Sequence, residues 1–263
     1  MRCDMKASFS VDVEKDLHTG SYNGITKGIP ELLKLLERNK IKATFFVTGE
    51  TLEKYPKITK LLAKKGHEIG LHGYSHKRFD SMSLKDKENE IKLSIKAYKK
   101  ILKNKPKGFR APQHSIDSET IRILDKYNFR YDSSIASRNI MLLRHLLKRK
   151  SNKIEIIRNF FGKMSPYKIS KNLIEIPRAS PLLALGGFEL KVYPSFLIKA
   201  IINLHILLNI PLNFVMHSWD MIDTPGSRTS RYCTGKEFEA RLDKFIKEIK
   251  KKTKIVKVSE LIR

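Results

Sequence analysis

The chain has 263 residues, 41% of them hydrophobic, and only two cysteines, Cys3 and Cys233. That admits a single α/β barrel with a real core, and it excludes a disulfide framework or a thiolate zinc site. Lys and Arg number 53 against 27 Asp and Glu, a formal charge of +26, which favours phosphates, anionic lipid or acidic glycans as partners.

Taken in chain order, the first fourteen residues lack the apolar run of about 7–15 residues that a signal peptide needs. With so few cysteines, a reducing, cytoplasmic setting is expected. "KASFSVDV" (6–13) reads as a strand. "IPELLKLLERNK" (29–40) has helical period with Pro30 near its start. "KATFFVT" (42–48) is a strand, "YPKITKLLAKKG" (55–66) a helix closed by Gly66, and "HEIGLH" (67–72) a strand. A long helix over 83–104 takes Ser83 as N-cap. "KGFRAP" (107–112) and "FRYDSSI" (129–135) read as strand ends. Between them, 117–128 is a helix capped by Asp117 or Ser118.

From about 136 to 190 the alternation fades. "NLIEIPRA" (172–179) is a candidate strand, and "LALGGFELKVYP" (183–194) reads as a loop or hairpin. The most apolar stretch, 195–216, is interrupted by Lys199, Asn203, His205, Asn209 and Pro211. It therefore suits a core helix and a buried strand better than a bilayer span. "LNFVMHSWD" (212–220) is that strand. An amphipathic helix over 235–252 and a closing strand and turn over 254–262 end the chain. The βαβα rhythm predicts a parallel sheet covered by helices, in one domain over 1–263.

The unusual polar residues gather at the ends of these strands. Asp12 and Glu14 follow the first, His72 and His76 the third, and Arg110 and Asp132 later ones. His217 and Asp220 follow the last. In a parallel barrel such residues meet on one face. "LHGYSH" places His72 and His76 four apart, so a helical turn would bring both rings to one ion, with Gly73 relieving crowding. The third ligand would be a carboxylate, Glu14 or Asp12. Two imidazoles, one carboxylate and an open position describe a catalytic metal site. Zinc is the first choice, with iron, cobalt or manganese also compatible.

These motifs together resemble the NodB-homology polysaccharide deacetylases, carbohydrate esterase family four. The resemblance implies a distorted (β/α)7-type barrel and metal-dependent removal of acetyl groups from a glycan or glycan precursor, most readily N-acetyl. "DVE" is similar to an Asp-x-Glu branch that includes deacetylases of exopolysaccharide loci. In that branch Asp12 is the general base and Glu14 the metal carboxylate. "HGYSH" matches the histidine motif with Gly73 in place of a hydroxyl residue, making His72 and His76 ligands. "RAPQ" implies that Arg110 holds the base and that a backbone N–H near Pro112 and Gln113 helps bind the oxyanion, with Pro112 a substrate-binding residue and Gln113 in place of the common aromatic residue. "YDSS" implies that Asp132 orients the catalytic histidine, and "VMH" that His217 is the general acid. Gly187 and Trp219 are placed near the sugar.

Two other readings stay open. One is a cyclic amide or ureide hydrolase on the same fold. The other is a non-catalytic basic barrel that binds glycan or nucleic acid, although the run "RHLLKRKSNK" (144–153) lacks the aromatic interleaving of a single-strand binder. An anionic membrane surface is the alternative partner for that run.

Overall fold

The computed structural model describes residues 5–16, 19–148, 152–223 and 232–262. Nine strands form one sheet. They are β1 (Lys6–Val13), β2 (Thr44–Val47), β3 (Glu68–Leu71), β4 (Gly108–Phe109), β5 (Tyr131–Asp132), β6 (Tyr167–Lys168), β7 (Ile174–Glu175), β8 (Leu212–His217) and β9 (Lys254–Val256). Their order is β6-β7-β5-β4-β3-β2-β1-β8, and β6–β7 is the antiparallel pair. β8 takes one edge of β1 through Ala7–Asp12. The other edge is shared, with β2 on Ser10–Val13 and β9 on Lys6–Ser8. The sheet curls into a deformed barrel. Across the gap between its ends Asn213 Nδ2 donates to Ser133 Oγ at 2.9 Å.

The two-residue period of β1 sorts its side chains. Ser8 and Ser10 face inward and donate to Asn213 Oδ1 at 3.1 and 3.4 Å. Phe9 faces the helical layer, with its ring 5.7 Å from Phe245 of the terminal helix Gly235–Lys252. The inward row continues upward to Asp12 and Glu14, so the polar residues of "SFSVDVE" emerge on the carboxyl face of the barrel. Parallel strands need crossovers, which the helices Ile29–Arg38, Pro56–Lys64, Leu84–Leu102 and Ser118–Lys126 supply. Ser83 caps the third of these through Asp86 N–H, and Asp117 the fourth through Thr120 N–H.

Three stretches differ from expectation. Residues Gly187–Val192 are a helix rather than a loop or hairpin. The "GG" pair marks close approach, not a turn. A Cβ on Gly186 would lie 2.4 Å from Arg178 Nη2 and 2.8 Å from the Val215 carbonyl. A short helix, Gly49–Lys54, was not anticipated; Thr48 caps it through Thr51 N–H. The irregular middle third holds two helices, Ile140–Leu147 and Lys153–Phe160, before the β6–β7 hairpin. No described helix is long and apolar enough to cross a membrane. Cys233 is a free, buried thiol, and Cys3 lies outside the described residues.

Candidate active site

The two histidines are not presented by a helical turn. Residues 72–76 form a loop in which Gly73 has φ +70° and His76 φ +59°. The backbone must be glycine-like at position 73. A Cβ there would also meet Phe79 and Pro112 at 3.3 Å. Glu90, from the long helix Leu84–Leu102, pins the loop from below. Its Oε2 accepts the backbone N–H groups of Tyr74 and Ser75 at 3.0 Å each, and its Oε1 accepts Ser75 Oγ at 2.7 Å.

One ligand atom from each of Glu14, His72 and His76 lies within 4.8 Å of the others. Glu14 Oε2 is 3.1 Å from His72 Nε2 and faces His76 Nε2 directly. That oxygen is buried and has no hydrogen-bond donor. His72 Nδ1 lies 2.8 Å from the Arg110 carbonyl, which can only accept. The neutral ring therefore carries its hydrogen on Nδ1 and turns a bare Nε2 lone pair to Glu14. Burial alone would lift the Glu14 carboxyl, but its contacts with His72 and His76 bring it down to about 2. Burial also works against a charged His72, yet Asp12 and Glu14 outweigh it and raise the imidazole. The same negative potential suits a cation held between the rings. The donor set fits a divalent metal with two imidazoles and a carboxylate.

Asp12 stands beside this cluster, two residues from Glu14 on the same side of the strand. Burial raises its carboxyl, and Arg110 more than reverses this, holding it below the usual carboxylate range. Arg110 is fully buried. It donates to Asp12 Oδ1 at 2.8 Å, to the Ser133 carbonyl at 3.0 Å and to Ser133 Oγ at 3.1 Å. Its guanidinium stacks 4.1 Å from the Phe46 ring centroid.

Asp132 is the register partner of Glu175 on the neighbouring strand, so the two carboxyls project side by side. Asp132 Oδ1 accepts from Ser134 Oγ at 2.6 Å, and Glu175 Oε1 accepts from Ile135 N–H at 2.9 Å. Burial raises both, and the neighbouring Asp132 carboxyl adds to the rise of Glu175, which lies well above the ordinary range. Among the described residues no hydrogen bond joins Asp132 to His217; the hydrogen-bond partner of Asp132 is Ser134, and Glu175 stands beside it.

His217 is held by its own chain. Its ring accepts the Asp220 backbone N–H, while Asp220 Oδ2 accepts the His217 N–H at 2.9 Å. Trp219 stacks on the imidazole at 4.3 Å and 10°. With one ring nitrogen accepting, a neutral ring carries its hydrogen on the other, and Nε2 lies 3.8 Å from Glu14 Oε1. Asp220 is anchored in turn by buried Lys191 at 2.7 Å. Lys191, Arg178, Glu189 and His114 were not anticipated from sequence. His114 sits on left-handed backbone next to Gln113, which is left-handed too. Burial and Arg110 push its imidazole down to about 3.

These groups line one cavity of about 570 Å³, together with Leu142, His145, Phe188, Gly187 and Trp219. Gly187 and Trp219 therefore share a cavity with the histidine pair. The Pro112 ring lies beside Gly73 of the histidine loop, and the adjoining Gln113 and His114 line the cavity.

Comparison with known proteins agrees with this architecture. Residues 19–131 match the polysaccharide deacetylase family model, which takes in His72, His76 and Arg110 but not Asp12, Glu14 or His217. A peptidoglycan deacetylase of Helicobacter pylori is 34% identical over 124 residues, 47% of this chain and 42% of that protein. The chain thus spans less than half of that relative. A crystal structure of a putative polysaccharide deacetylase from Mycobacterium smegmatis superposes with a TM-score of 0.71 at 19% identity, covering 99% of this chain and 90% of that one. A CE4 family pseudoenzyme from Bacillus anthracis superposes with a TM-score of 0.58 at 14% identity, covering 99% and 66%. The fold is common to proteins with and without activity, so the chemistry has to be argued from the site.

Proposed function

We propose that this chain, a member of the polysaccharide deacetylase family, hydrolyses acetyl groups, most readily N-acetyl, from a glycan or glycan precursor. The observation that carries the reading is the convergence of Glu14, His72 and His76 on one point with Asp12 beside it. Those three residues would hold a divalent metal, zinc by its donor set. When bound, the metal supplies Lewis-acid polarisation of the carbonyl and a nucleophilic water at neutral pH.

The chain's own residues do the rest. Asp12, kept ionised by Arg110, takes the proton of the attacking water. His217, held in place by Trp219 and the Asp220 backbone, is the general acid: the departing sugar nitrogen gains through it the proton that Asp12 took from water, and the imidazole ends neutral. The products are acetate and the free amine, so one water is consumed per acetyl group. General acid and base groups of this kind contribute about 10²–10⁴-fold each. Peptidoglycan and chitin deacetylases among the relatives support an N-acetylhexosamine substrate. A cyclic amide or ureide has no comparable support.

The test is acetate release from N-acetylglucosamine oligomers together with metal content. Asp12→Asn is expected to keep its metal and lose at least about 100-fold in kcat. His72→Ala is expected to lose the metal itself. Wild-type turnover in the first variant, or unchanged metal in the second, would overturn the assignment.

A further inference from the structure

We propose that the helix pair Ile140–Leu147 and Lys153–Phe160 is a docking face for an anionic lipid bilayer. Packed domains bury their large apolar side chains, so a cluster left exposed needs an explanation. Here Ile154 is 79% exposed, Phe161 61%, Ile140 58%, Met141 56% and Ile157 46%. Ile154, Ile157 and Phe161 follow at intervals of three and four, one face of one helix and its end. The two helices pack against each other, so these exposed side chains lie on neighbouring elements of one region.

The charge around that surface is one-sided. Whereas the whole chain carries 53 basic to 27 acidic residues, the stretch 138–163 holds a single acid, Glu155. Against it stand Arg138, Arg144, Lys148, Lys153, Arg158 and Lys163 among the described residues. Glu155 accepts from Ser118 Oγ through Oε1, and Arg158 Nη2 lies 3.7 Å from the same oxygen. Arg138 covers the Phe161 ring at 5.3 Å. Apolar side chains ringed by cations complement an anionic headgroup layer over acyl chains, and a cationic or neutral protein surface would not match. The run 144–153 singled out in the sequence belongs to this face, although Arg149, Lys150 and Ser151 lie outside the described residues.

The face is also continuous with the active-site cavity. Leu142 and His145, on the helix Ile140–Leu147, line the cavity opposite the metal ligands. A bilayer bound here would bring its headgroup layer to the cavity mouth. The proposal does not depend on the deacetylase reading, because vesicle binding is read without turnover.

The experiment is co-sedimentation of the full chain with vesicles of phosphatidylcholine alone, or mixed with phosphatidylglycerol, at low and high salt. Binding to the mixed vesicles that weakens with salt is expected. Ile154→Asp/Ile157→Asp should abolish it. Lys153→Gln/Arg158→Gln should weaken it about 25-fold, at about fivefold per charge near the surface. Lys247→Gln/Lys251→Gln, on the distant terminal helix, serves as the control for general positive charge and should change binding far less. Circular dichroism and a thermal melt confirm that each variant is folded. The exposed charge pair keeps the test valid if the aspartate variant is not. No association with anionic vesicles would overturn the proposal, as would an equal loss in the control. A dimer that only Ile154→Asp/Ile157→Asp dissolves would assign the face to a second copy instead.

Discussion

Replacing Glu175 by Gln should make the protein more stable at neutral pH, and by an amount that grows with pH. Glu175 and Asp132 are fully buried and side by side in register. In the unfolded chain they ionise near 4.5 and 3.8, and in the fold burial lifts both, Glu175 well above its ordinary value. A carboxyl with a raised folded pKa gives its full stability below the unfolded value and loses it as pH rises toward the folded one. Over each pH unit in which the fold keeps the proton and the unfolded chain has released it, stability falls by about 1.4 kcal/mol. Glutamine removes that loss. It can still accept from Ile135 N–H, as Glu175 Oε1 does at 2.9 Å, and its amide offers Asp132 a donor at every pH. Urea unfolding of parent and variant from pH 4 to pH 7, with EDTA in both so that metal release does not enter, gives the difference directly. The two should be close at pH 4, and the variant should lead by up to about 3 kcal/mol at pH 7. Other titrating groups cancel in the difference. A difference that stays flat within about 0.5 kcal/mol across that range would refute the shared proton.

Lys191→Met strips the partner from Asp220, whose Oδ1 sits 2.7 Å from the ammonium with both side chains buried. A carboxylate left unpaired in the interior costs about 3–5 kcal/mol. Because Asp220 clamps His217, kcat for acetate release should fall while KM changes little. A loss under 1 kcal/mol in urea unfolding would deny the clamp. Gly187→Ala forces a methyl to 2.7 Å from Asp220 Oδ2 and 3.0 Å from Met216 Cβ. Overpacking of this kind costs about 1–3 kcal/mol, so a thermal melt at the parent temperature would count against the close packing inferred here.

The alternation of strands and helices was legible because both periods are strong where the core needs them. In "SFSVDVE" the period of two separates Phe9, which meets the helices, from Ser8, Ser10, Asp12 and Glu14, which face the barrel interior. The helix over 84–102 announced itself through Ser83 and its apolar stripe. The region from 136 to 190 was not legible, for a physical reason. Its helices Ile140–Leu147 and Lys153–Phe160 leave apolar residues exposed, so hydrophobicity there does not report which face is buried. The "GG" dipeptide at 186–187 misled in another way. Glycine marks both turns and close approach, and only the neighbours Arg178, Val215 and Asp220 decide between them.

The site shows the same division between what a strand fixes and what its neighbours fix. Asp12, Glu14, His72 and Arg110 sit at or just past the carboxyl ends of β1, β3 and β4, so their convergence follows from parallel pairing alone. Asp132 stands at the strand end that its motif gave, with Ser134 and Glu175 as its described neighbours. What decides its role is the residue opposite it, and β7 supplies Glu175, a carboxyl, at the same level. Two adjacent acids in a dry interior do not readily both ionise, which is why the Glu175→Gln series is expected to report a proton held by the pair. His217 is held by groups that no local motif reveals: the backbone of Asp220, and Lys191, which anchors Asp220 from a helix hidden behind "GGFELKVYP". A sequence motif names the residue types a reaction needs. Which of them act, and which only hold the others, is set by the side chains that adjacent strands place beside them.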